Sequence, residues 1–69
     1  MPRLGEIIHY VMAGGNEPRA AIVVYVWPGA SRKLNLAVFP PTGGPSYGVN
    51  GVGPEPTAGR PDHWVPPSE

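Results

Sequence analysis

AAIVVYVWPGASRKLNLAVFPP, residues 20–41, is the stretch of this sequence that decides the fold. Its first part, residues 20–27, consists mainly of valine, isoleucine and aromatic residues, and this pattern predicts a strand that is covered on both faces. In residues 33–39, leucine and valine alternate with smaller or polar residues, which indicates a half-buried strand. The Pro-Gly pair between the two segments indicates a turn, and the double proline at 40–41 ends the second strand.

Two further segments have strand character. Residues 6–12 (EIIHYVM) are rich in β-branched and aromatic residues, and the loop at 13–18 (AGGNEP) offers glycine and asparagine for positive φ and a proline to stop the ladder. Tyr47–Val52 (YGVNGV) predicts a short fourth strand. Its two glycines weaken that strand and indicate a bulge or a close approach by another backbone or a ligand.

The pattern leaves little room for helices, because the apolar runs are short, bounded by glycine or proline, and rich in residues that lose side-chain freedom in a helix. We therefore expect an all-β fold: a three- to four-stranded antiparallel meander or SH3-like half-barrel, followed by an extended Pro-rich C-terminal tail. A sandwich made by two chains is the alternative. The expected division is a small β domain at 1–52 and the tail at 53–69.

Composition limits the class of protein. The chain has 69 residues, of which 41% are hydrophobic and 14% charged, so it forms one small domain and cannot be a multidomain enzyme. It has no cysteine, which excludes a disulfide framework, and we expect a homo-oligomer to supply the missing stability. Its formal net charge is zero, which argues against a general nucleic-acid binder.

The tail at 53–69 contains five of the prolines and also Trp64. The prolines predict that the tail forms neither a ladder nor a helix, while the indole ring is costly to leave in water. We expect the tail to run extended across the body or onto a neighbouring subunit and to bury Trp64. That would place Arg60 and His63 beside the loop containing Tyr47 and Asn50.

The amino-terminal residues lack the apolar run of a signal peptide, and no segment approaches the roughly 20 apolar residues of a membrane span. The expectation is a protein without a membrane partner, in the cytoplasm. Two histidines with scattered carboxylates do not form a metal site of recognisable spacing, so no metal or other cofactor is expected. Ser46, Asp62 and His63 are the residue types of a hydrolytic triad. So small a fold cannot bury and orient all three, and we expect no enzyme activity.

Binding has more support in the sequence. The glycine-rich loop around Ser46, Tyr47 and Asn50 can present bare backbone amides, which bind anions without a helix. Arginine or lysine side chains, contributed by the same chain or a second subunit, would complete a site for a small anionic ligand. Most of the aromatic rings are expected to fill the core or an intersubunit seam.

The chain resembles a family of small proteins encoded by tailed bacteriophages, many of them infecting actinobacteria. The resemblance lies in a Gly-x-Ile-x-His-Tyr-Val-like opening (GEIIHYV, residues 5–11), a second strand at 18–23 (PRAAIV) and a third at 36–40 (LAVFP). The family closes on His-Trp-Pro-Glu. Here His63 and Trp64 are present, but Val65 precedes Pro66, and Pro67 and Ser68 precede Glu69.

This resemblance implies a phage accessory role in the host cytoplasm and a compact β fold. By analogy of scale with small oligomeric phage proteins, it suggests an anti-defence sponge that sequesters a nucleotide immune signal at a subunit interface. The alternative is a protein-binding module, either an inhibitor of a host protein or a virion accessory protein. The residues predicted to bind the nucleotide are His9, Arg19, Phe39, Tyr47, Asn50, Arg60, His63 and Trp64.

Overall fold

The computed structural model describes residues 2–14, 17–29 and 31–66, and within them it contains five strands and no helix. The strands are β1 (Ile7–Val11), β2 (Pro18–Val26), β3 (Leu34–Val38), β4 (Tyr47–Val52) and β5 (His63–Val65). They form one sheet in the order β4-β3-β2-β1-β5, and every neighbouring pair is antiparallel. The prediction of a small all-β fold is confirmed.

The first four strands form a meander close to the predicted segments, and β4 has the predicted bounds. One detail of the prediction is wrong: Pro18 does not stop the ladder but begins β2, opposite Val11. A proline is tolerated there because the first residue of a strand need not donate a ladder hydrogen bond. Residues 15–16 of the preceding loop and residue 30 of the next turn lie outside the described residues.

The expectation that residues 53–69 form no ladder is also wrong. His63–Val65 lies antiparallel to β1 as the fifth strand, with Trp64 opposite Tyr10. The physical reason is local, since these three residues contain no proline and fit between Pro61 and Pro66. The sheet thus takes strands from both predicted segments, while residues 67–69 lie outside the described ones.

Alternate residues of the five strands point inward and form one core. In β3, Leu34, Leu36 and Val38 are buried while the residues between them are half-buried, as the alternation predicts. Among the described residues, the buried hydrophobic core consists of Ile8, Tyr10, Ala21, Val23, Leu34, Leu36, Val38, Val52 and Trp64.

The sheet curls into a half-barrel that its two edge strands help to close. The Trp64 backbone N–H donates to the Gly53 carbonyl at 3.0 Å, which brings β5 against the end of β4. The Trp64 indole N–H donates to the Arg32 carbonyl at 3.1 Å, across the interior. Arg32 has a left-handed backbone, with φ of 58°. The ring therefore fills the core and ties the last strand to the loop before β3.

Two irregularities of register accompany this curvature. One lies between Val23 and Tyr25 in β2, and the other lies where β4 pairs with Leu34 and Leu36. A bulge adds a residue to one strand and increases its local twist, which helps a sheet to curl. The bulge predicted from the glycines of β4 is therefore present.

The outward residues of β2 differ from the prediction. Val23 is buried, but Val24 and Tyr25 are about half-exposed, so in the single chain β2 is covered on one face only. The expectation of cover on both faces is wrong for the isolated chain, because no helix or second sheet lies over the outer face among the described residues.

Candidate functional site

A buried carboxylate lies where the chain enters β5. Asp62 is 9% exposed and is the only buried polar or charged residue among those described. Its Oδ2 accepts a hydrogen bond from the Tyr10 hydroxyl at 2.7 Å, and its Oδ1 accepts one from Arg60 Nε at 3.0 Å. Both oxygens are therefore satisfied, which a buried carboxylate requires.

Arg60 links this carboxylate to the opposite edge of the sheet. Its Nη1 donates to the Gly51 carbonyl at 3.0 Å, so one guanidinium holds both Asp62 and the backbone of β4. The Gly51 backbone N–H donates to Asn35 Oδ1 at 2.9 Å, and the Trp27 indole N–H donates to the same oxygen at 2.8 Å. We call Tyr10, Asp62, Arg60 and Gly51 the seam cluster, because it joins the two edges of the half-barrel.

The seam cluster shifts the acid–base behaviour of two residues. Burial raises the pKa of Tyr10 well above 10.0, and the hydrogen bond to Asp62 and the negative charge of its carboxylate raise it further. Burial also acts to raise the pKa of Asp62, but hydrogen bonds from Tyr10 and Arg60, with the Arg60 charge, outweigh it and leave the pKa below 3.8. The neutral phenol and the ionised carboxylate are thus the stable pair.

A small cleft opens beside the seam cluster, with a volume of about 180 Å³. Its lining residues are Lys33, Gly51, Gly53, Glu55, Thr57, Arg60 and Asp62. Two cations and two carboxylates line it, so the cleft carries no net charge. Ligand pockets are commonly about 300–1,000 Å³, so the cleft of a single chain is small for a nucleotide.

The outer face of the sheet consists of the strand residues that alternate with the core, together with Phe39 directly after β3. Arg19 is the only charged residue in the five described strands, and its pairing with Tyr10 places it on the core side. The outer face therefore carries no charged residue. Its large exposed apolar side chains are Ile7, Val24, Tyr25 and Phe39, exposed by 61, 51, 50 and 38% respectively.

The eight residues predicted to bind a nucleotide do not lie together. His9, Phe39 and His63 belong to the outer face or its margins, and Asn50 is exposed in the irregular part of β4. Arg19 and Tyr47 meet at one exposed rim, where Arg19 Nη1 donates to the Tyr47 hydroxyl at 3.1 Å. Trp64 lies in the core and Arg60 in the seam cluster. The single chain therefore brings Arg19 to Tyr47, but does not gather all eight residues into one site.

Sequence reasoning missed the pairing of Tyr10 with Asp62 and the absence of charge from the outer face. The absence of charge is visible in the sequence, because residues 20–27 and 34–39 contain no charged side chain. The pairing of Tyr10 with Asp62 has no such signal, because the two residues are 52 positions apart and meet only when β5 forms.

Among the described residues there is no group of three or more potential metal ligands, and no helix long and apolar enough to cross a membrane. No protein-family model, curated protein or solved structure matches the chain. The resemblance to small phage proteins therefore stays a prediction.

Proposed function

We propose that this protein is a non-catalytic protein-binding module that docks through the outer face of its sheet. The observation that carries the proposal is the lack of charge among the described strand residues of that face, together with the exposed apolar side chains of β1, β2 and Phe39. It favours the second of the two roles considered from the sequence.

The reason lies in how antiparallel sheets meet water. A sheet with one solvated face has polar and charged residues at the outward positions, which keeps the face in solution. Here Ile7, Val24 and Tyr25 hold such positions and are at least half-exposed. Contiguous exposed apolar surface of this kind marks interaction sites in soluble proteins.

The buried polar groups argue against a catalytic role. Tyr10, Asp62 and Arg60 satisfy one another, and no buried side-chain nitrogen or oxygen in the described part of the chain lacks a hydrogen-bond partner. A carboxylate held below its ordinary pKa by two donors is a poor general base. In this proposal the seam cluster stabilises the fold and takes no part in binding.

Site-specific photo-crosslinking in the full chain tests the proposal. Tyr25 on the outer face is replaced by p-benzoylphenylalanine, and a matched variant carries the same group at Ala58, which is exposed in the loop between β4 and β5. We expect a discrete protein adduct from position 25 and none from position 58 after irradiation in producing cells. Equal labelling from both positions, or no protein adduct from position 25, would contradict the proposal.

A nucleotide ligand is the second candidate, because Lys33 and Arg60 line the cleft and Lys33 Nζ lies 5.6 Å from the centre of the Trp27 ring. Cation and ring together could hold a phosphate and a base. The anti-defence role implied by the phage resemblance would use this chemistry. Thermal shift against cyclic dinucleotides and cyclic ADP-ribose isomers tests it, and a saturable rise in melting temperature that Lys33→Ala removes would favour this candidate.

A further inference from the structure

We infer that Asn50 is a site of spontaneous covalent modification and that Asn35 sets its rate by holding the neighbouring residue. The reaction is deamidation, in which the backbone nitrogen of Gly51 attacks the side-chain amide carbon of Asn50. A C–N bond forms, ammonia leaves, and a succinimide ring results. Water then opens the ring to aspartate or isoaspartate, so water is the only co-reactant. This site is independent of docking by the outer face.

The sequence singles out this position. Asparagine is one of the thermally labile residues, and the chain has it at Asn16, Asn35 and Asn50. Only Asn50 is followed by glycine. A glycine has no Cβ to obstruct the attack, and its backbone adopts the widest range of angles, so its nitrogen reaches the amide carbon most easily. The sequence therefore predicts that Asn50 is the first asparagine to react.

The structure places Asn50 where water reaches it and where the strand is irregular. The residue is exposed. The register of β3 and β4 shifts here, so that Asn50 and Gly51 together stand opposite Asn35. An extra residue in a bulge has no regular ladder partner. Regular pairing between strands therefore does not protect the Asn50–Gly51 bond.

Side chains hold this part of β4 instead. The Gly51 N–H donates to Asn35 Oδ1 at 2.9 Å, and the Gly51 carbonyl accepts a hydrogen bond from Arg60 Nη1 at 3.0 Å. The Trp27 indole N–H donates to the same Asn35 oxygen at 2.8 Å and so fixes the side-chain amide in place. The nitrogen that attacks in deamidation is thus the one that Asn35 binds.

The bond from Asn35 acts on the step that starts the reaction. A backbone nitrogen attacks only after a base removes its proton, and in the folded chain the proton of Gly51 points at the Asn35 oxygen. The attack also needs one direction of approach, which a residue held at both its N–H and its carbonyl does not sample freely. The strand must therefore open locally before Asn50 reacts, and the free energy of that opening sets the rate.

The modification acts on the seam cluster. Isoaspartate adds a methylene to the main chain directly before Gly51, whose carbonyl Arg60 holds. The added length moves the carbonyl away from the guanidinium, and a hydrogen bond weakens steeply when its geometry is lost. Conversion of Asn50 therefore weakens the contact between β4 and the chain before β5, and it limits the lifetime of the closed half-barrel.

Incubation of the full chain at mildly alkaline pH, followed by peptide mapping with mass spectrometry, tests the inference. Asn35→Ala removes the acceptor, and the matched variant Asn35→Asp keeps a side-chain oxygen in its place. We expect Asn50 to react at least about tenfold faster in Asn35→Ala, because one hydrogen bond no longer opposes the opening. Asn35→Asp should react at close to the wild-type rate. Equal rates in Asn35→Ala and the wild type would overturn the inference, as would a wild type that reacts as fast as the urea-unfolded chain.

A loss of stability also speeds the reaction, because the unfolded chain reacts freely. The unfolded fraction from urea denaturation, multiplied by the rate of the unfolded chain, gives the contribution of global unfolding. The rate of Asn35→Ala should exceed this contribution. That of Tyr10→Phe should not, because it loses a hydrogen bond elsewhere, and an equal excess in both variants contradicts the role of Asn35. If Asn35→Ala does not fold, Arg60→Ala frees the Gly51 carbonyl and should show the same excess.

The effect on the seam cluster has its own measurement. Ion exchange separates the modified chains by their added negative charge, and peptide mapping identifies the isoaspartate form. That form should melt below Asn50→Asp, which carries the same charge on a normal backbone. Equal melting temperatures would show that the added methylene leaves the seam cluster closed.

Discussion

The Tyr10 hydroxyl donates a 2.7 Å hydrogen bond to Asp62, and this contact joins the middle of β1 to the chain just before β5. Tyr10→Phe keeps the ring in the core but leaves one carboxylate oxygen of Asp62 without its donor. We expect a loss of about 1–3 kcal/mol in the free energy of unfolding, measured by urea denaturation. Tyr25→Phe removes a hydroxyl from the exposed outer face and serves as the control. Equal stability of the two variants would show that the bond contributes nothing.

The same pair predicts how stability depends on pH. The folded-state pKa of Asp62 lies below 3.8, so its contribution is present above that value and is lost as the pH falls through the lowered pKa. The folded-state pKa of Tyr10 is raised above 10.0, so its contribution is full below pH 10 and is lost as the pH rises through the raised pKa. Melting temperature measured across the pH range should therefore fall at both extremes. Tyr10→Phe should flatten the alkaline fall, and an unchanged alkaline slope would contradict the assignment.

Arg60 and Arg19 should differ in their effect on stability. Arg60 holds both Asp62 and the Gly51 carbonyl, although its side chain is 40% exposed, so Arg60→Ala should cost about 1–2 kcal/mol and lower the melting temperature by roughly 5–10 °C. Arg19 makes an exposed hydrogen bond to Tyr47, and Arg19→Ala should change stability by less than about 0.5 kcal/mol. Differential scanning fluorimetry measures the melting temperatures of the two variants. Similar melting temperatures would mean that Arg60 does not join the edges of the half-barrel.

Arg19 and Arg60 show which contacts the sequence does not predict. The alternation in β3 and the glycines of β4 predicted their strands, because period and turn chemistry are local properties. The sequence predicts Arg60 as a ligand-binding residue, whereas the structure pairs it with Asp62, two residues away, and with the Gly51 carbonyl of β4, a contact that forms only when the sheet closes. Likewise, the many prolines of residues 53–69 predict no strand there, although His63–Val65 contains no proline and pairs with β1. What the sequence could not supply in each case was the long-range closure of the sheet.

Gly51 should tolerate a side chain less well than Gly14 or Gly48. Its φ is +67°, and an added Cβ would lie 3.3 Å from Arg60 Nη1 and 3.4 Å from the Trp27 ring. Gly51→Ala should therefore cost more than the roughly 1–2 kcal/mol of backbone strain alone. Gly14→Ala carries similar strain with no atom within 4 Å, and Gly48→Ala has neither strain nor contact. Urea denaturation should rank the losses in that order, and a Gly51→Ala loss no larger than that of Gly14→Ala would show that the close approach is unimportant.

Trp64 combines two roles that a pair of substitutions can separate. The ring is 4% exposed in the core, while its N–H donates to the Arg32 carbonyl. Trp64→Ala removes both and should cost about 3–5 kcal/mol, enough to unfold so small a domain at room temperature. Trp64→Phe keeps most of the buried ring and removes the donor, so it should remain folded and lose about 1–3 kcal/mol, with the Arg32 carbonyl left unpaired. Arg32→Gly provides the control, because it relieves the left-handed backbone and keeps the carbonyl, and it should leave stability equal or higher. A Trp64→Phe variant as stable as the wild type would mean that the ring alone, without the hydrogen bond, anchors β5.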